Sequence, residues 1–370
     1  MKFIRILLFP ISLLYGVLVF IYHSLYDLGI LPSRKFNIPV ISVGNLTVGG
    51  TGKTPHVEYL VRLLQKTSLA TLSRGYGRAT SGFILASDTS TAIEIGDEPR
   101  QFIQKFRKIH VAVDENRIRG IKKLLAQFPN LNAILLDDAF QHRAVKAGLS
   151  ILLTDYRKPA PCILLPAGVL REWKSGSKRA DIIVVTNTPS ILSPMERRRV
   201  QKKINIKPHQ KIYFSYIKYG DFMPAFPEAG RPPGNNPDKP LVINKSFYFE
   251  RGYSILLLTG IADPSALTEH LKRNVPELIH LKFSDHRKYS MSDIAKVQKI
   301  FDNIVNPNKI IVTTEKDAMR LAIPGLMNIL SKFAVFYIPI KVGFHNGDEI
   351  EFNKQIIDYV KQNQRNNRIH

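Results

Sequence analysis

The stretch Gly44-Asn-Leu-Thr-Val-Gly-Gly-Thr-Gly-Lys-Thr-Pro55 follows an apolar run and opens a helical pattern. Within it Thr47, Val48, Gly49, Gly50, Thr51, Gly52, Lys53 and Thr54 match G-x-x-x-x-G-K-[ST], with Thr47 in place of the first glycine. Glycines let backbone N–H groups turn inward around phosphate oxygens, and a helix N-terminus adds partial positive charge. Lys53 is placed to reach the β- and γ-phosphates of a nucleotide, and the Thr54 hydroxyl to ligate Mg²⁺. A second chemical signal is Asn132-Ala-Ile-Leu-Leu-Asp-Asp138, an apolar strand ending in two acids. Beside a phosphate loop, Asp137 or Asp138 offers the hard oxygen donor that a metal ion needs. Alone, such a strand-end acid could simply cap the next helix. Gly96-Asp-Glu-Pro99 precedes another helical run, where Asp97 can be read as an N-cap with Pro99 in the first turn. His286 lies in a predicted loop, beside Asp285.

The elements that must position these groups follow from the pattern of apolar runs. Strands are predicted at 39–43, 69–73, 110–113, 133–137, 149–154 and 181–186, with helices from the phosphate loop to about Gln65 and over 115–127. This βαβ rhythm predicts a mostly parallel sheet covered on both faces. Residues 219–252 break the rhythm with six prolines, and Gly230 to Pro240 reads as a loop or insertion. Beyond it, strands near 254–259, 277–283, 309–313 and 333–339 and helices near 264–273, 291–301 and 352–362 predict a second α/β unit. The expected organisation is an apolar N-terminal segment over 1–35, a nucleotide-binding domain over 36–217, a Pro-rich linker over 218–253 and an α/β domain over 254–370.

Composition limits the function classes. The 370 residues include 53 Lys+Arg against 30 Asp+Glu, a formal net charge of +23. That excess calls for a polyanion: nucleic acid, an anionic membrane or a phosphorylated substrate. Residues 171–218 alone hold 12 basic and 3 acidic residues, including Arg171, Lys174, Lys178, Arg179 and the run Arg197-Arg198-Arg199, which reads at least as well as a solvated helix face. A single cysteine, Cys162, excludes a disulfide scaffold or a CxxC metal site. Residues 6–26 carry no Asp, Glu, Lys or Arg, and as a helix they would be about 31 Å long. A signal peptide, a spanning helix and a buried core helix are alternatives. An interfacial helix is preferred, because Ser12, Gly16, His23 and Asp27 form one narrow polar or small stripe. Pro10 is expected to break or kink the first turns.

Taken together, these segments resemble the tetraacyldisaccharide 4'-kinases of lipid A biosynthesis. The resemblance rests on the phosphate loop, Leu72-Ser-Arg-Gly-Tyr-Gly77, Gly96-Asp-Glu-Pro99 and Leu136-Asp-Asp-Ala-Phe-Gln-His-Arg143, then Leu165-Pro-Ala-Gly-Val-Leu-Arg-Glu172, Thr259-Gly-Ile-Ala-Asp-Pro264, Ser284-Asp-His286 and Thr313-Thr-Glu-Lys-Asp317, in that order. It implies transfer of the ATP γ-phosphate to the 4'-hydroxyl of a tetraacyldisaccharide 1-phosphate, at the cytoplasmic face of the bacterial inner membrane. It also implies ATP as co-substrate, Mg²⁺, and an anionic glycolipid and membrane surface as partners, with no nucleic acid and no obligate protein partner. By motif match, Asp97 and His286 form a catalytic pair. Thr54, Glu98, Asp137 and Asp138 become candidates for the metal shell, and Asn45, Arg117, His142 and Arg171 for substrate contacts. The rival readings are a switch-type P-loop GTPase or ATPase, which hydrolyses nucleotide without lipid, and a basic nucleic-acid-binding protein, whose binding falls steeply with salt.

Overall fold

The computed structural model describes residues 2–157, 163–226, 244–285, 287–345 and 347–368. His286, Cys162 and the Pro-rich insertion at 230–240 lie outside them. The chain forms two units, one of residues 1–217 and 342–370, the other of residues 218–341.

In the first unit the strands are β1 (Val40–Asn45), β2 (Leu69–Ser73), β3 (Ile84–Leu85), β4 (His110–Val113), β5 (Ala133–Asp137), β6 (Leu149–Asp155), β7 (Ile182–Thr186) and β8 (Lys211–Tyr219). The second unit holds β9 (Met223–Pro224), β10 (Ser254–Thr259), β11 (Leu278–Lys282), β12 (Lys309–Thr314) and β13 (Val335–Ile338), before β14 (Ile340–Phe344) leads back. The larger sheet has the order β14-β8-β7-β6-β1-β5-β2-β4-β3. β1 pairs in parallel with β5 and β6, and Val43 lies opposite both Asp137 and Ile151. β3 is antiparallel to β4, and β14 runs antiparallel to β8, with the Gly220 amide donating to the Pro339 carbonyl at one end and the His345 amide to the Phe214 carbonyl at the other. The smaller sheet runs β11-β10-β12-β13-β9, parallel except for β9.

Both faces of the larger sheet are covered, and so its strands are apolar almost throughout. β1 sends Ile41 and Val43 into one cluster with Val57, Leu60, Val61 and Leu64, whereas Val40 joins Ile121, Leu124, Ile134 and Leu136 in another. The two helices involved are Lys53–Leu64 and Arg117–Gln127, the latter N-capped by Asn116. β1 is central, with strands added on both sides of it. The crevice beyond its C-terminal end is where an open parallel sheet places ligands.

Three expectations differ from this architecture. The tail does not belong with a domain over 254–370: Phe344, Phe352, Ile356 and Val360 are buried in the first unit's core, against the helix that follows the phosphate loop. The stretch 218–253 is not all linker, since β8 runs to Tyr219, β9 joins the smaller sheet and a helix covers Lys245–Glu250. Pro10 does not interrupt the first helix, which is continuous over Lys2–Asp27. The Arg197–Arg199 run lies on a helix, Pro194–Ile204, where Arg198 and Arg199 are solvated but Arg197 pairs with the buried Asp348 and lies over the Phe214 ring.

The N-terminal helix is long and apolar enough to cross a membrane, and only a tenth of it is buried. Leu7, Leu14, Leu18 and Phe20 are all more than half exposed. A soluble core helix would not leave that area in water.

Candidate active site

The phosphate loop joins the end of β1 to its helix through two left-handed turns. Gly49 has φ +103° and Gly52 φ +82°, backbone that a side chain would strain. Gly52 stands at the N-terminus of the helix and leaves the first-turn N–H groups without a side-chain cap. Thr47 is extended instead and bridges antiparallel to Leu170, while the Val48 amide donates to the Val169 carbonyl at 2.8 Å. That pairing explains why the first position tolerates a β-branched residue.

The floor of the loop is held by buried side chains. Asn45 is fully buried and donates from Nδ2 to Thr51 Oγ1 at 2.6 Å. Asn45 thus shapes the loop from beneath, with its Oδ1 left without a partner among the described residues. Thr186, at the end of β7, donates to the Thr51 carbonyl at 2.9 Å. His56 lies 2.7 Å from the Gly52 carbonyl through Nδ1 and 2.9 Å from Ser215 Oγ through Nε2. A carbonyl only accepts, so Nδ1 carries the proton and Nε2 accepts from Ser215. Burial pushes the His56 pKa down to about 4. No residue-type signal in the sequence marks His56, because it belongs to no motif.

The structure brings several expected site residues together at the ends of β1 and β5. Asp138 lies 3.7 Å from Lys53 Nζ and 2.7 Å from Arg171 Nη1. Its φ of +49° turns the chain out of β5. Burial raises its pKa, but Lys53 and Arg171 outweigh that, so the net shift is downward and the carboxylate stays charged. Asp137, one residue earlier, is buried at the strand end. Arg117 is buried too, donates to the Asp114 carbonyl at 2.6 Å, and has Nε and Nη2 without a hydrogen-bond partner among the described residues. Burial pulls its pKa down to about 10, against the favourable charges of Asp137 and Asp138. His142 is held near pKa 4 by burial and by the charges of Arg117 and Arg74, so it is a neutral imidazole at pH 7.

Asp97 begins a helix, Asp97–Lys105, after Gly96. Gly96 has φ +95° and packs against the backbone of Gly75 and Tyr76, in the loop after β2, the strand beside β5. Asp97 and Glu98 therefore stand on the loop side of the same sheet edge. Thr54 is buried in the first turn after the loop. Among the described residues, no three His, Cys, Asp or Glu side chains gather as a metal cage.

In the smaller unit the motif ending at Asp317 has a structural reason. The buried Asp317 carboxylate accepts from the Gly260 amide at 2.9 Å, from Thr314 Oγ1 at 2.7 Å and from Tyr289 OH at 3.1 Å. It thereby joins the loop after β10 to the segment that carries Asp285 and Arg287.

The model of the tetraacyldisaccharide-1-P 4'-kinase (LpxK) family matches residues 4–361. The chain belongs to this family. A tetraacyldisaccharide 4'-kinase of Bacteroides thetaiotaomicron is 43% identical over 362 residues, 97% of this chain and 94% of that one. One of Flavobacterium johnsoniae is 44% identical, covering 98% of this chain and 99% of its relative. A crystal structure of LpxK from Aquifex aeolicus in complex with ATP superposes with a TM-score of 0.70 at 28% identity, over 96% of this chain and 99% of that one. The chain is accordingly an ATP-dependent kinase of lipid A biosynthesis, as its motifs implied.

Proposed function

We propose that phosphoryl transfer to the 4'-hydroxyl of a tetraacyldisaccharide 1-phosphate takes place at the C-terminal ends of β1 and β5. The observation that carries this placement is Lys53, on a glycine-turned loop at a helix N-terminus, 3.7 Å from a carboxylate that ends the neighbouring strand. Residues 47–54 cradle the triphosphate, and Lys53 draws charge from the β- and γ-phosphates. Arg117 holds two buried N–H donors without a partner among the described residues, a state whose cost a phosphate oxygen removes. Arg171 and the neutral His142 serve the acceptor, Arg171 at an anionic group and His142 at a sugar hydroxyl.

Asp97 accepts the proton of the 4'-hydroxyl as that oxygen bonds to the γ-phosphorus, and the bond from phosphorus to the ADP oxygen breaks. By motif match, His286 is the second candidate catalytic residue. Mg²⁺ neutralises charge on the phosphates when bound. Asp137 and the Thr54 hydroxyl are its most suitable ligands, with Glu98 beside them, because Asp138 already holds two cations. One or two carboxylates plus phosphate oxygens are the usual surroundings of this ion, which fits a site without a three-carboxylate cage. The exposed apolar helix and the basic surface support attachment at the cytoplasmic face of the inner membrane, where ATP and an anionic glycolipid meet.

Incubation with γ-labelled ATP and the disaccharide lipid in detergent tests the reading. Label in a bis-phosphorylated lipid is expected from the wild type and is lost with Lys53→Ala. Label released only as inorganic phosphate would refute it.

A further inference from the structure

The stripe Ser12, Tyr15, Gly16 and His23 on the N-terminal helix faces protein, not water or lipid. The Ala167 amide donates to Ser12 Oγ at 2.8 Å, and Tyr15 OH donates to the Arg171 carbonyl at 2.7 Å. Trp173 Nε1 donates to the Gly16 carbonyl at 2.9 Å, and His23 Nε2 lies 3.2 Å from Glu172. Four contacts thus hold the segment 167–173. The other side of that segment is the active site. The Arg171 amide donates to the Leu46 carbonyl at 2.8 Å, and the Arg171 side chain holds Asp138, which in turn faces Lys53. The buried Glu172 accepts from Gln141 at 2.9 Å, and Gln141 donates to the Asn45 carbonyl at 2.8 Å, where the phosphate loop begins.

Anchoring requires only apolar area, and the exposed faces of this helix supply it. It does not require a buried serine, a glycine in close contact or a tyrosine aimed at the main chain of Arg171. We infer that the N-terminal helix is also a positioning element for phosphoryl transfer, with Ser12, Tyr15 and Gly16 as positioning residues. Docking of the helix fixes the Arg171 backbone, and through it the Arg171–Asp138–Lys53 row. This rests on the proposed roles of Arg171 and Asp138.

Gly16→Leu separates docking from anchoring. A Cβ at this position would lie 2.6 Å from Leu164 Cδ1 and 2.8 Å from Trp173 Cζ2, so the helix cannot seat. The added leucine makes the helix more apolar, so binding to vesicles of anionic phospholipid persists. Trp173 is the only tryptophan, so its emission reports the dock directly. The expected result is a red-shifted Trp173 emission and a kcat at least ~10-fold lower in mixed micelles, with ATP KM and vesicle binding unchanged. Tyr15→Phe, which keeps the ring, should lower kcat about three- to tenfold at an unchanged thermal midpoint. Leu14→Ala, on an exposed face, is the control and should match the wild type.

Wild-type kcat in Gly16→Leu with shifted Trp173 emission overturns the inference. So does lowered turnover with unshifted emission, because the dock would then be intact. If Gly16→Leu does not fold, the kcat of Tyr15→Phe decides alone. Arg171→Ala is measured in parallel: full turnover there refutes the roles given to Arg171, whereas its loss beside an active Tyr15→Phe refutes only the docking role.

Discussion

Acidification should loosen the phosphate loop through a single buried imidazole. His56 joins the Gly52 carbonyl to Ser215 in the neutral form, and its folded pKa is about 4. In the unfolded chain the same side chain titrates near 6.5. The unfolded state therefore binds a proton as the pH falls through 6.5, while the folded state resists until about 4. Stability is present above the unfolded pKa and is lost on the way down. Between pH 7 and 4.5 the loss from this group is roughly 2.5 kcal/mol, or about 5–10 °C of thermal midpoint for a unit of this size. Protonation also turns Nε2 into a donor, so the Ser215 hydroxyl must accept from it and redirect its own proton, for instance toward the Val185 carbonyl at 3.5 Å. The assay is thermal denaturation of wild type and His56→Gln at both pH values. Glutamine can donate to Gly52 and accept from Ser215 without titrating. The stability gap between wild type and variant should shrink by that ~2.5 kcal/mol from pH 7 to 4.5. A gap that stays constant, or widens in acid, refutes the argument.

Other outcomes follow from the site. Asp97→Ala should abolish phosphoryl transfer while ATP still binds; near-normal turnover would remove Asp97 from the chemistry. Arg117→Ala should weaken substrate binding by ~10-fold or more without unfolding the protein, since it removes a buried cation that has Nε and Nη2 without partners among the described residues; steady-state KM values and a melting curve check both halves. Asp138→Asn frees Arg171 and Lys53 from their shared carboxylate, so kcat should fall more than the ATP KM rises, and the reverse split would make Asp138 a binding group. Deleting residues 1–30 should release the protein from vesicles; unchanged partition would make the basic surface the anchor.

Local pattern made much of this legible. Strand-length apolar runs ending in Asn45 and Asp137 announce a buried parallel sheet, and the glycines from 49 to 52 announce backbone that must turn toward phosphate. What local pattern misses is anything whose meaning depends on a distant partner. β8 carries lysines at Lys211 and Lys218 amid aromatics, so its run of KIYFSYIKY is less apolar than the central strands and does not stand out. Phe352, Ile356 and Val360 recur at helical spacing and mark a buried face, but nothing local says that this face returns to the first unit.

The N-terminal stripe is the sharpest case. Ser12, Gly16 and His23 on an otherwise apolar helix suit a polar edge at a membrane surface as well as they suit a docking face. The difference lies in Leu164, Trp173 and the carbonyl of Arg171, some 150 residues away in the chain. A small residue in a lipid-facing helix matters only for what approaches it. At Gly16 an indole and a leucine approach to within contact, so the residue reads as a seat and not as a gap in the apolar surface. The same logic applies to Thr47, whose departure from glycine makes sense only beside Leu170. Both residues point to one segment, 164–173, packed between the N-terminal helix and the phosphate loop. Its basic and acidic residues are therefore better understood as joining that helix to the phosphate loop than as part of a diffuse positive surface.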